Sequence, residues 1–535
     1  MTQYDYIVIG AGSAGCVVAN RLTEDPETTV LLLEAGNPAT KPEIQVPVSW
    51  IGLLGTEVDW AYFTEPEPYL HGRKIFQPRG KVVGGSSSIN AMVYIRGNRL
   101  DFDSWQALGN PGWSYEDVLP YFKKSENQQR GASEFHGVDG FLSVTDPIAT
   151  AVTSQRFIEA AAQIGYAINP DFNGAQQEGA GLYQLTIKDG KRHSAAAAFL
   201  VPILDRPNLT VQTGALVTRL LFEGTRTVGL EYLHEGTLHQ VYVDREVILS
   251  AGAFDSPKLL MLSGIGNAEY LHSLNIPVVA DLPGVGENLQ DHLAVPVAHQ
   301  ATQDLQPALT SNIAEAAMFF HTEGNLDAAP DLQCSSGPLL WVPPGYPNQG
   351  PGFTSIACLN HSQSRGSVTL RSIDPTDSPC IRMNYLDHES DVQKLVLGVR
   401  IIRELFSTDL FDEFRGEEVA PGADVTSDEG LQAYVRKVAD TNYHPVGTCK
   451  MGSDPMAVVD SQLRVHGIEG LRVVDASIMP TITTGNTNAP TIMIGEKAAD
   501  LIKAAGRVTK GQPRAISAEY NSEATALISS AIAPH

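Results

Sequence analysis

The start of the chain constrains its fold more than any other feature. Tyr4–Ile9 is almost wholly apolar, as expected of a parallel strand covered on both faces. The glycine-rich turn GAGSAG follows, then a helical stretch at Cys16–Leu22 and a second apolar strand at Thr29–Glu34. A strand, a glycine-rich turn, a helix and another strand predict the opening unit of a Rossmann-like α/β domain.

Each residue type in this unit has a physical role. Gly10 permits the tight turn, Gly12 lets the backbone approach a pyrophosphate, and Gly15 lets the helix pack closely on the strand. The helix N-terminus supplies unpaired N–H groups and a partial positive charge for phosphates. Glu34, nineteen residues after Gly15, can accept hydrogen bonds from a ribose. The pattern predicts dinucleotide binding, but by itself it does not choose between FAD and NAD.

A second glycine-rich segment, RGKVVGGSSSINAMVYIRG, covers residues 79–97. Gly84-Gly85 and three serines cannot form a stable helix interior or strand centre, so the backbone is suited to pass close to a ligand. The alternative is a flexible surface loop. The apolar flanks Val82-Val83 and Ala91-Met92-Val93 argue against that alternative, because they would be costly to leave in water.

A third segment, EVILSAGAFDSPKLLMLSGIG, covers residues 246–266. It predicts a buried strand at Glu246–Ser250 that meets Gly252. Ser256-Pro257 then predicts the start of a helix, with proline in its first turn.

These three segments resemble the glucose–methanol–choline (GMC) family of FAD-dependent oxidoreductases, over about residues 4–504. TEPEP at 64–68 and VGENLQDH at 285–292 are most similar to its choline-dehydrogenase-like branch. The resemblance implies FAD, with Asn90 and Ala91 beside the isoalloxazine and Val217 at the adenine. Some members bind FAD covalently through a histidine placed just before this asparagine. Ile89 occupies that position here, which implies non-covalent FAD.

Besides Gly10, Gly12, Gly15 and Glu34, the resemblance implies a larger set of cofactor-binding residues. They are Ser13, Ala14, Ala35, Gly84, Ser86, Asn90, Ala91, Val93, Val217, Ala251, Gly252, Asp475, Ala476, Asn488 and Thr491.

The candidate catalytic residues lie near the C-terminus. His444 stands before Pro445 among short polar residues in TNYHPVGTCKMG, and Asn488 follows forty-four residues later in GNTNAPTIMIGEKAAD. The resemblance implies that both face the substrate at the flavin N5. A neutral imidazole can take the hydroxyl proton of an alcohol, and an amide N–H can hold the oxygen as negative charge develops. We expect His292 to be structural or part of a cavity wall, and His466 to be a turn residue.

The middle of the chain carries weaker signals. The family resemblance implies a substrate domain with an antiparallel sheet over the flavin and helices on its far side. Leu309–Gly352 departs most from the choline-dehydrogenase pattern, and its Trp341 and Tyr346 are equally compatible with a pocket wall or with ordinary packing. No acidic residue in this stretch stands out as a partner for an ammonium ion, which disfavours choline as the substrate.

The predicted fold class is therefore α/β (α+β overall), with a Rossmann-like FAD-binding domain and a substrate domain that has an antiparallel sheet flanked by helices. We expect the discontinuous FAD-binding domain at residues 1–155, 195–298 and 445–505. The substrate-binding domain takes residues 156–194 and 299–444, and residues 506–535 form a C-terminal extension.

Composition excludes several classes of protein. The 535 residues carry 37 Lys+Arg against 61 Asp+Glu, a net charge of −24, which disfavours nucleic acid as a partner. Five scattered cysteines exclude a disulfide scaffold and fit a reducing compartment. The N-terminus lacks the pattern of a signal peptide, and the longest uncharged stretch, Ile478–Gly495, is too polar for an integral membrane segment. We therefore expect a cytoplasmic protein, and its oligomeric state stays open.

The leading functional hypothesis is an FAD-dependent alcohol oxidase or dehydrogenase that converts a primary alcohol to an aldehyde by hydride transfer to the flavin. His444 is the expected general base and Asn488 the expected orienting donor. The electron acceptor, oxygen or a quinone-type compound, is not decided. The alternatives on the same scaffold are a flavin-containing lyase of the hydroxynitrile-lyase type and a fatty-acid photodecarboxylase. No metal is expected, because the chain has no HExxH motif and no carboxylate cluster with metal spacing.

Overall fold

Two seven-stranded sheets organise the chain. The structure is a computed structural model, and it describes residues 3–322, 324–325 and 327–509. The larger of the two main hydrophobic cores is built around the first sheet, and the other is built around the second.

The first sheet has a parallel part and an antiparallel hairpin. Thr237–Leu249 pairs in parallel with Gln3–Ile9 and with Leu471–Val473, and its first half pairs antiparallel with Arg226–His234. Two strands near the N-terminus and five from later segments thus share one sheet. Across the sheet the main order is Leu209–Gln212, Val30–Leu33, Gln3–Ile9, Thr237–Leu249, Arg226–His234 and Ala215–Glu223, with Leu471–Val473 beside Thr237–Leu249.

The carboxyl ends of the parallel strands meet at one edge. Gly10, Glu34, Ser250 and Asp475 follow directly, or within two residues, four of the five parallel strands that end there. In open α/β sheets this edge is where ligands bind.

The second sheet is antiparallel throughout. Its order is Arg415–Ala420, Leu293–Ala301, Gly352–Leu359, Leu332–Gly337, Ala316–Phe320 and Gly179–Leu182, with Asp440–Thr441 beside Leu293–Ala301. The remaining short strands are Tyr62–Phe63, Phe76–Gln77, Val93–Tyr94, Glu126–Gln128, Leu142–Val144, Gln184–Leu185, Ile187–Lys188, Lys191–Arg192, Ile265–Gly266, Ala280–Asp281, Ser367–Thr369 and Cys380–Arg382.

Helices cover both sheets. In chain order they are α1 (Ser13–Leu22), α2 (Arg99–Ala107), α3 (Tyr115–Ser125), α4 (Val152–Gln163), α5 (Gly252–Leu262), α6 (Ala268–Ser273), α7 (Glu389–Phe406), α8 (Asp428–Val438) and α9 (Asn488–Thr509). α4 and α7 pack on the second sheet, and α1 packs against α9. The last contact includes a buried ion pair in which Arg21 binds Glu496 through two hydrogen bonds of 2.7 Å each.

One helix begins earlier than the sequence predicts. α5 starts at Gly252, so Pro257 lies inside the helix and not in its first turn. Proline has no N–H for the carbonyl four residues before it. The Oγ of Thr448 donates to that carbonyl, Ala253 O, at 2.6 Å, and the helix therefore continues through the proline.

The predicted fold class is confirmed, whereas the exact domain boundaries stay a prediction. The predicted C-terminal extension falls outside the described residues from 510 onward, and its first four residues continue α9. Within the described part of the chain, each helix is too short or too polar to cross a bilayer.

Candidate active site

A large cavity lies between the carboxyl edge of the first sheet and the second sheet. It holds about 2070 Å³ of atom-free space, including its opening to solvent. One part, here called the glycine half, is lined by Gly10, Gly12, Glu34, Val217, Gly252, Asp475 and Asn488. The other part, the histidine half, is lined by Trp50, Tyr183, Gln333, Ser335, Trp341, Tyr443, His444 and Asn486.

The three glycines of the first turn have distinct environments. Gly10 has φ +98°, and a Cβ there would lie 2.5 Å from Ser250 O. A Cβ on Gly15 would lie 1.9 Å from Gly10 O, so only glycine allows α1 to pack this closely on the strand. A Cβ on Gly12 would have only Ser250 O as a neighbour, at 4.0 Å. Gly12 therefore leaves space on its cavity side for a ligand to approach the main chain.

Glu34 directly follows the next strand and stabilises this turn through hydrogen bonds. Its carboxylate accepts hydrogen bonds from Ala11 N and Gly36 N, each at 2.8 Å. Burial raises the pKa of Glu34 to about 7, although these two N–H donors oppose the rise.

The segment 79–97 packs directly on the glycine turn. Gly84 N donates to Ala11 O at 2.7 Å, and a Cβ on Gly85 would lie 2.8 Å from Gly12 Cα. The alternative of a flexible surface loop is thus wrong for this segment, which is buried against the first turn.

Most of the predicted cofactor-binding residues line the cavity. Those that do are Gly10, Gly12, Ser13, Ala14, Glu34, Ala35, Ser86, Asn90, Ala91, Val93, Val217, Ala251, Gly252, Asp475, Ala476, Asn488 and Thr491. Gly15 and Gly84 do not line it, and their part in cofactor binding stays a prediction. Gly15 faces the strand behind the turn, and Gly84 is occupied in joining residues 79–97 to that turn.

The glycine half fits a dinucleotide. The first turn of α1 carries no acidic side chain, so its N–H groups and partial positive charge are available to phosphates. On the same wall, a Cβ on Gly12 would have only Ser250 O as a neighbour, at 4.0 Å, so the main chain of the turn is open to such a ligand.

His444 is buried at the wall of the histidine half. Its Nε2 lies 3.1 Å from Asn486 Nδ2, and its Nδ1 lies 2.9 Å from His292 Nδ1. Burial lowers the pKa of His444 well below its ordinary value, and the positive charge of the nearby Arg79 lowers it further. The imidazole is therefore neutral at physiological pH.

Asn488 does not meet His444, contrary to the pairing expected from the sequence. It is the first residue of α9, and its Oδ1 accepts a hydrogen bond from Ser13 Oγ at 2.7 Å in the glycine half. Asn486, two residues earlier in the loop, is the asparagine beside His444. The signal for this difference is local, because an asparagine followed by Ala489-Pro490 is typical of a helix start.

The main chain of His444 is also held in place. Its N–H donates to Asp291 Oδ1 at 2.7 Å, and Thr441 Oγ donates to Asp291 Oδ2 at 2.5 Å. The Tyr385 hydroxyl donates to the same carboxylate. The sequence did not indicate that Asp291 and His292 both contact His444, because His444 lies about 150 residues away from them in the chain.

Aromatic side chains form much of the histidine half. Trp50 and Trp341 line it and meet edge to face, with ring centroids 6.5 Å apart. Tyr346, the other aromatic residue considered for the wall, packs edge to face against Tyr434 instead. Of the two candidates, only Trp341 lines the cavity.

The other predicted features have simpler outcomes. His292 is buried behind His444, and His466 lies in a turn where its Nε2 donates to Gly452 O. The five cysteines are free thiols. Among the residues that the structure describes, no three His, Cys, Asp or Glu side chains are grouped so that they could hold a metal ion.

Comparisons with known proteins show which chains are similar to this one. Sequence profiles described as GMC oxidoreductase match residues 4–294 and 362–495. The mitochondrial choline dehydrogenase of Mus musculus is 46% identical over 94% of this chain and 89% of its own length. The oxygen-dependent choline dehydrogenase of Cronobacter sakazakii is 46% identical over 94% of this chain and 95% of its own. The crystal structure of pyridoxine 4-oxidase from Mesorbium loti superimposes with a TM-score of 0.88 at 34% identity, covering 93% of this chain and 98% of that one.

Proposed function

The chain belongs to the GMC oxidoreductase family and is an FAD-dependent oxidoreductase of alcohol CH–OH groups, and on that premise we propose that it converts an uncharged primary alcohol to its aldehyde with His444 as the general base. Asn486, and not Asn488, is the proposed orienting donor. The observation that carries this proposal is the pair formed at the cavity wall by the neutral His444 and the amide of Asn486.

The glycine half is the proposed FAD site. We assign the pyrophosphate to the first turn of α1, the ribose to Glu34 and the adenine to Val217. Asn90 and Ala91, between the two halves, are assigned to the isoalloxazine. When bound, FAD supplies the hydride acceptor. Ile89 lines the wall where covalent members carry a histidine, and this supports non-covalent attachment. Acid precipitation of the protein should release a cofactor that is not covalently attached. We therefore expect the yellow colour of FAD to remain in the supernatant.

Two residues of the histidine half act on the alcohol: one accepts its hydroxyl proton, and the other stabilises its oxygen. His444 Nε2 takes the hydroxyl proton, since an alcohol loses hydride from its carbon readily only as its oxygen gains negative charge. The Asn486 amide, whose Nδ2 now donates to that same nitrogen, is the proposed donor to the developing alkoxide. The burial of His444 in the cavity wall lowers the local dielectric constant and so strengthens both interactions.

The charges along the wall favour an uncharged substrate. Three carboxylates line the cavity. All three accept hydrogen bonds from other groups of the protein on the side of the glycine half. Glu34 holds Ala11 and Gly36, Asp475 accepts from Gly252 N and Ser256 Oγ, and Asp255 accepts from the Tyr62 hydroxyl. In the described part of the chain, no carboxylate lines the wall beside His444. Choline, named for two of the relatives, would therefore find aromatic faces there but no anionic partner.

The first experiment mixes the purified flavoprotein with alcohols under anaerobic conditions and follows bleaching of the flavin. The panel holds aliphatic and aromatic primary alcohols of similar size and, as the charged competitor, choline. We expect the uncharged alcohols to give the higher kcat/KM. His444→Ala is expected to retain FAD and to lower the bleaching rate by about 1000-fold, within the usual range for loss of a general base. A variant as fast as the wild type would contradict the assignment of His444.

The same assay tests the alternatives. A lyase with structural flavin would show no bleaching with any alcohol, and a photodecarboxylase would consume a fatty acid under blue light. Neither is favoured by the relatives, which are oxidoreductases by name. The acceptor is tested separately, by comparing hydrogen peroxide formation in air with reduction of a quinone dye. A cytoplasmic location and the lack of nucleic-acid or integral-membrane partners stay predictions.

A further inference from the structure

His292 is fully buried and contacts the catalytic histidine from the side away from the cavity. It directly precedes the strand Leu293–Ala301 and does not line the cavity itself. The two imidazole rings are nearly perpendicular, at 86°, with centroids 5.1 Å apart. Their Nδ1 atoms are separated by 2.9 Å, a hydrogen-bond distance.

The other nitrogen of His292 determines where its proton lies. Nε2 is 3.0 Å from the main-chain oxygen of Asn360, which can only accept a hydrogen bond. Nε2 of His292 must therefore carry a proton. Burial lowers the pKa of His292 to about 3, although hydrogen bonds to the main chain of Asn360 and Thr483 oppose the fall, so the ring is neutral and has no second proton. Its Nδ1 consequently presents a lone pair to His444.

This lone pair determines the tautomer of His444. A hydrogen bond between the two Nδ1 atoms needs one proton, and only His444 can supply it. His444 is then protonated at Nδ1 and bare at Nε2, the atom that faces the cavity. Hydrogen positions are assigned here from the partners on both sides of each ring.

Asn486 agrees with this assignment from the cavity side. In the orientation of the Asn486 amide that places its Oδ1 3.5 Å from Gln333 Nε2, its Nδ2 lies 3.1 Å from His444 Nε2. The opposite tautomer of His444 would place two lone pairs face to face at the Nδ1 contact. It would also direct an N–H of His444 against the N–H of Asn486. Both contacts are repulsive.

We propose that His292 is a positioning residue that selects the Nδ1–H tautomer of His444 and so keeps the Nε2 lone pair on the cavity. When Nε2 takes the hydroxyl proton, the Nδ1–H bond stays intact and His292 stabilises the resulting imidazolium by accepting from it. The proton passes from the alcohol oxygen to His444 alone, and no bond of His292 breaks. The tautomer follows from the resting structure, whereas its effect on rate rests on the proposed function.

The direct test is the nitrogen NMR spectrum of holoenzyme labelled with ¹⁵N-histidine, in which the His444 signals are identified by their loss in His444→Ala. We expect a protonated Nδ1 and an unprotonated Nε2 for His444 in the wild type. The opposite pattern in the wild type would overturn the proposal without any His292 variant. In His292→Leu, which removes the acceptor, the His444 signals are expected to shift toward the Nε2–H form.

Three matched variants separate positioning from general damage. His292→Leu is expected to retain FAD and to lower the rate of anaerobic bleaching by about 100-fold or more, with little change in KM. His292→Asn keeps an oxygen acceptor near the position of Nδ1 and is expected to recover most of the loss. His466→Leu removes another histidine that donates to a main-chain carbonyl, but far from the cavity, and is expected to behave as wild type.

The outcomes distinguish the two proposals. Unchanged His444 signals in His292→Leu would overturn the positioning role. Shifted signals with an unchanged rate would support the tautomer selection but contradict His444 as the base, and so would count against the proposed function alone. Equal losses in His292→Leu and His292→Asn, with unshifted signals, would show a packing role and overturn the inference.

Discussion

The glycine half of the cavity is made largely of main chain, whereas the histidine half is made of side chains carried by distant segments. In the glycine half, the decisive groups are the turn at Gly10–Gly15 and the first N–H groups of α1, which are adjacent in sequence. In the histidine half, His292 and His444 are 152 residues apart and meet only because the second sheet and its loops bring them together. A main-chain site is thus specified by local pattern, and a side-chain site by the completed tertiary structure.

The largest effect is expected from a substitution that disturbs the glycine half. Gly15→Ala would place a Cβ 1.9 Å from Gly10 O, so α1 must move away from the sheet. We expect a loss of about 3 kcal/mol or more in the free energy of unfolding and little bound FAD. Thermal unfolding of the apoprotein and the absorbance of bound flavin measure both effects.

Gly12→Ala is the matched control for this prediction. Its Cβ has room within the protein but points to the space assigned to the cofactor. The apoprotein should therefore unfold at nearly the wild-type temperature and yet bind FAD more weakly. If Gly12→Ala destabilised the apoprotein as much as Gly15→Ala, the separate roles of the two glycines would be wrong.

A smaller effect is expected from substitution of two neighbouring asparagines, of which Asn486 lies in the histidine half and Asn488 in the glycine half. Asn486→Ala should keep FAD and lower the rate of flavin bleaching by about 100-fold, the usual cost of losing one donor to a developing oxyanion. Asn488→Ala should leave that rate within a few-fold of wild type and loosen FAD binding, because Asn488 bonds to Ser13. The reverse result would restore the pairing that the sequence first indicated.

The smallest effect is expected from acidification. Burial is the main cause that keeps the pKa of His444 well below 6.5, so the base stays neutral as the pH falls from 8 to 6. The rate constant of anaerobic bleaching should be flat over that range, whereas an ordinary imidazole would lose about half of its neutral form by pH 6.5. A fall in rate centred near pH 6.5 would show that His444 titrates normally.

The lowered pKa values of the two buried histidines also make the free energy of unfolding depend on pH. Because the folded-state pKa values of His292 and His444 lie below that of an unfolded histidine, the unfolded chain binds more protons as the pH falls. The contribution of these two histidines to the free energy of unfolding should therefore decrease below about pH 6.5, and it is read as the difference between the wild type and His292→Leu. Thermal unfolding at pH 7.5 and 5.5 measures this decrease.

The sequence predicted the residues of the glycine half better than those of the histidine half. The glycine spacing and the strand–turn–helix order were sufficient for the fold class, and the family resemblance identified a cofactor set of which only Gly15 and Gly84 do not line the cavity. The contact of His444 with Asn486, and not with Asn488, could not be predicted, because spacing in a motif does not show which of two asparagines begins a helix. Residues such as Trp50, Tyr183 and Gln333 were missed because they become neighbours only after long-range strand pairing. No local pattern marks such residues.

The contact of α1 with α9 has a consequence for how the protein is made. The Arg21–Glu496 ion pair and the Ser13–Asn488 hydrogen bond join the first element of the glycine half to a helix that begins at residue 488. The strand Leu471–Val473 also enters the first sheet late in the chain. A nascent chain on the ribosome therefore has its glycine turn early but can complete this side of the cavity only after residues 471–496 have been made. We expect a chain truncated before Leu471 to bind no FAD.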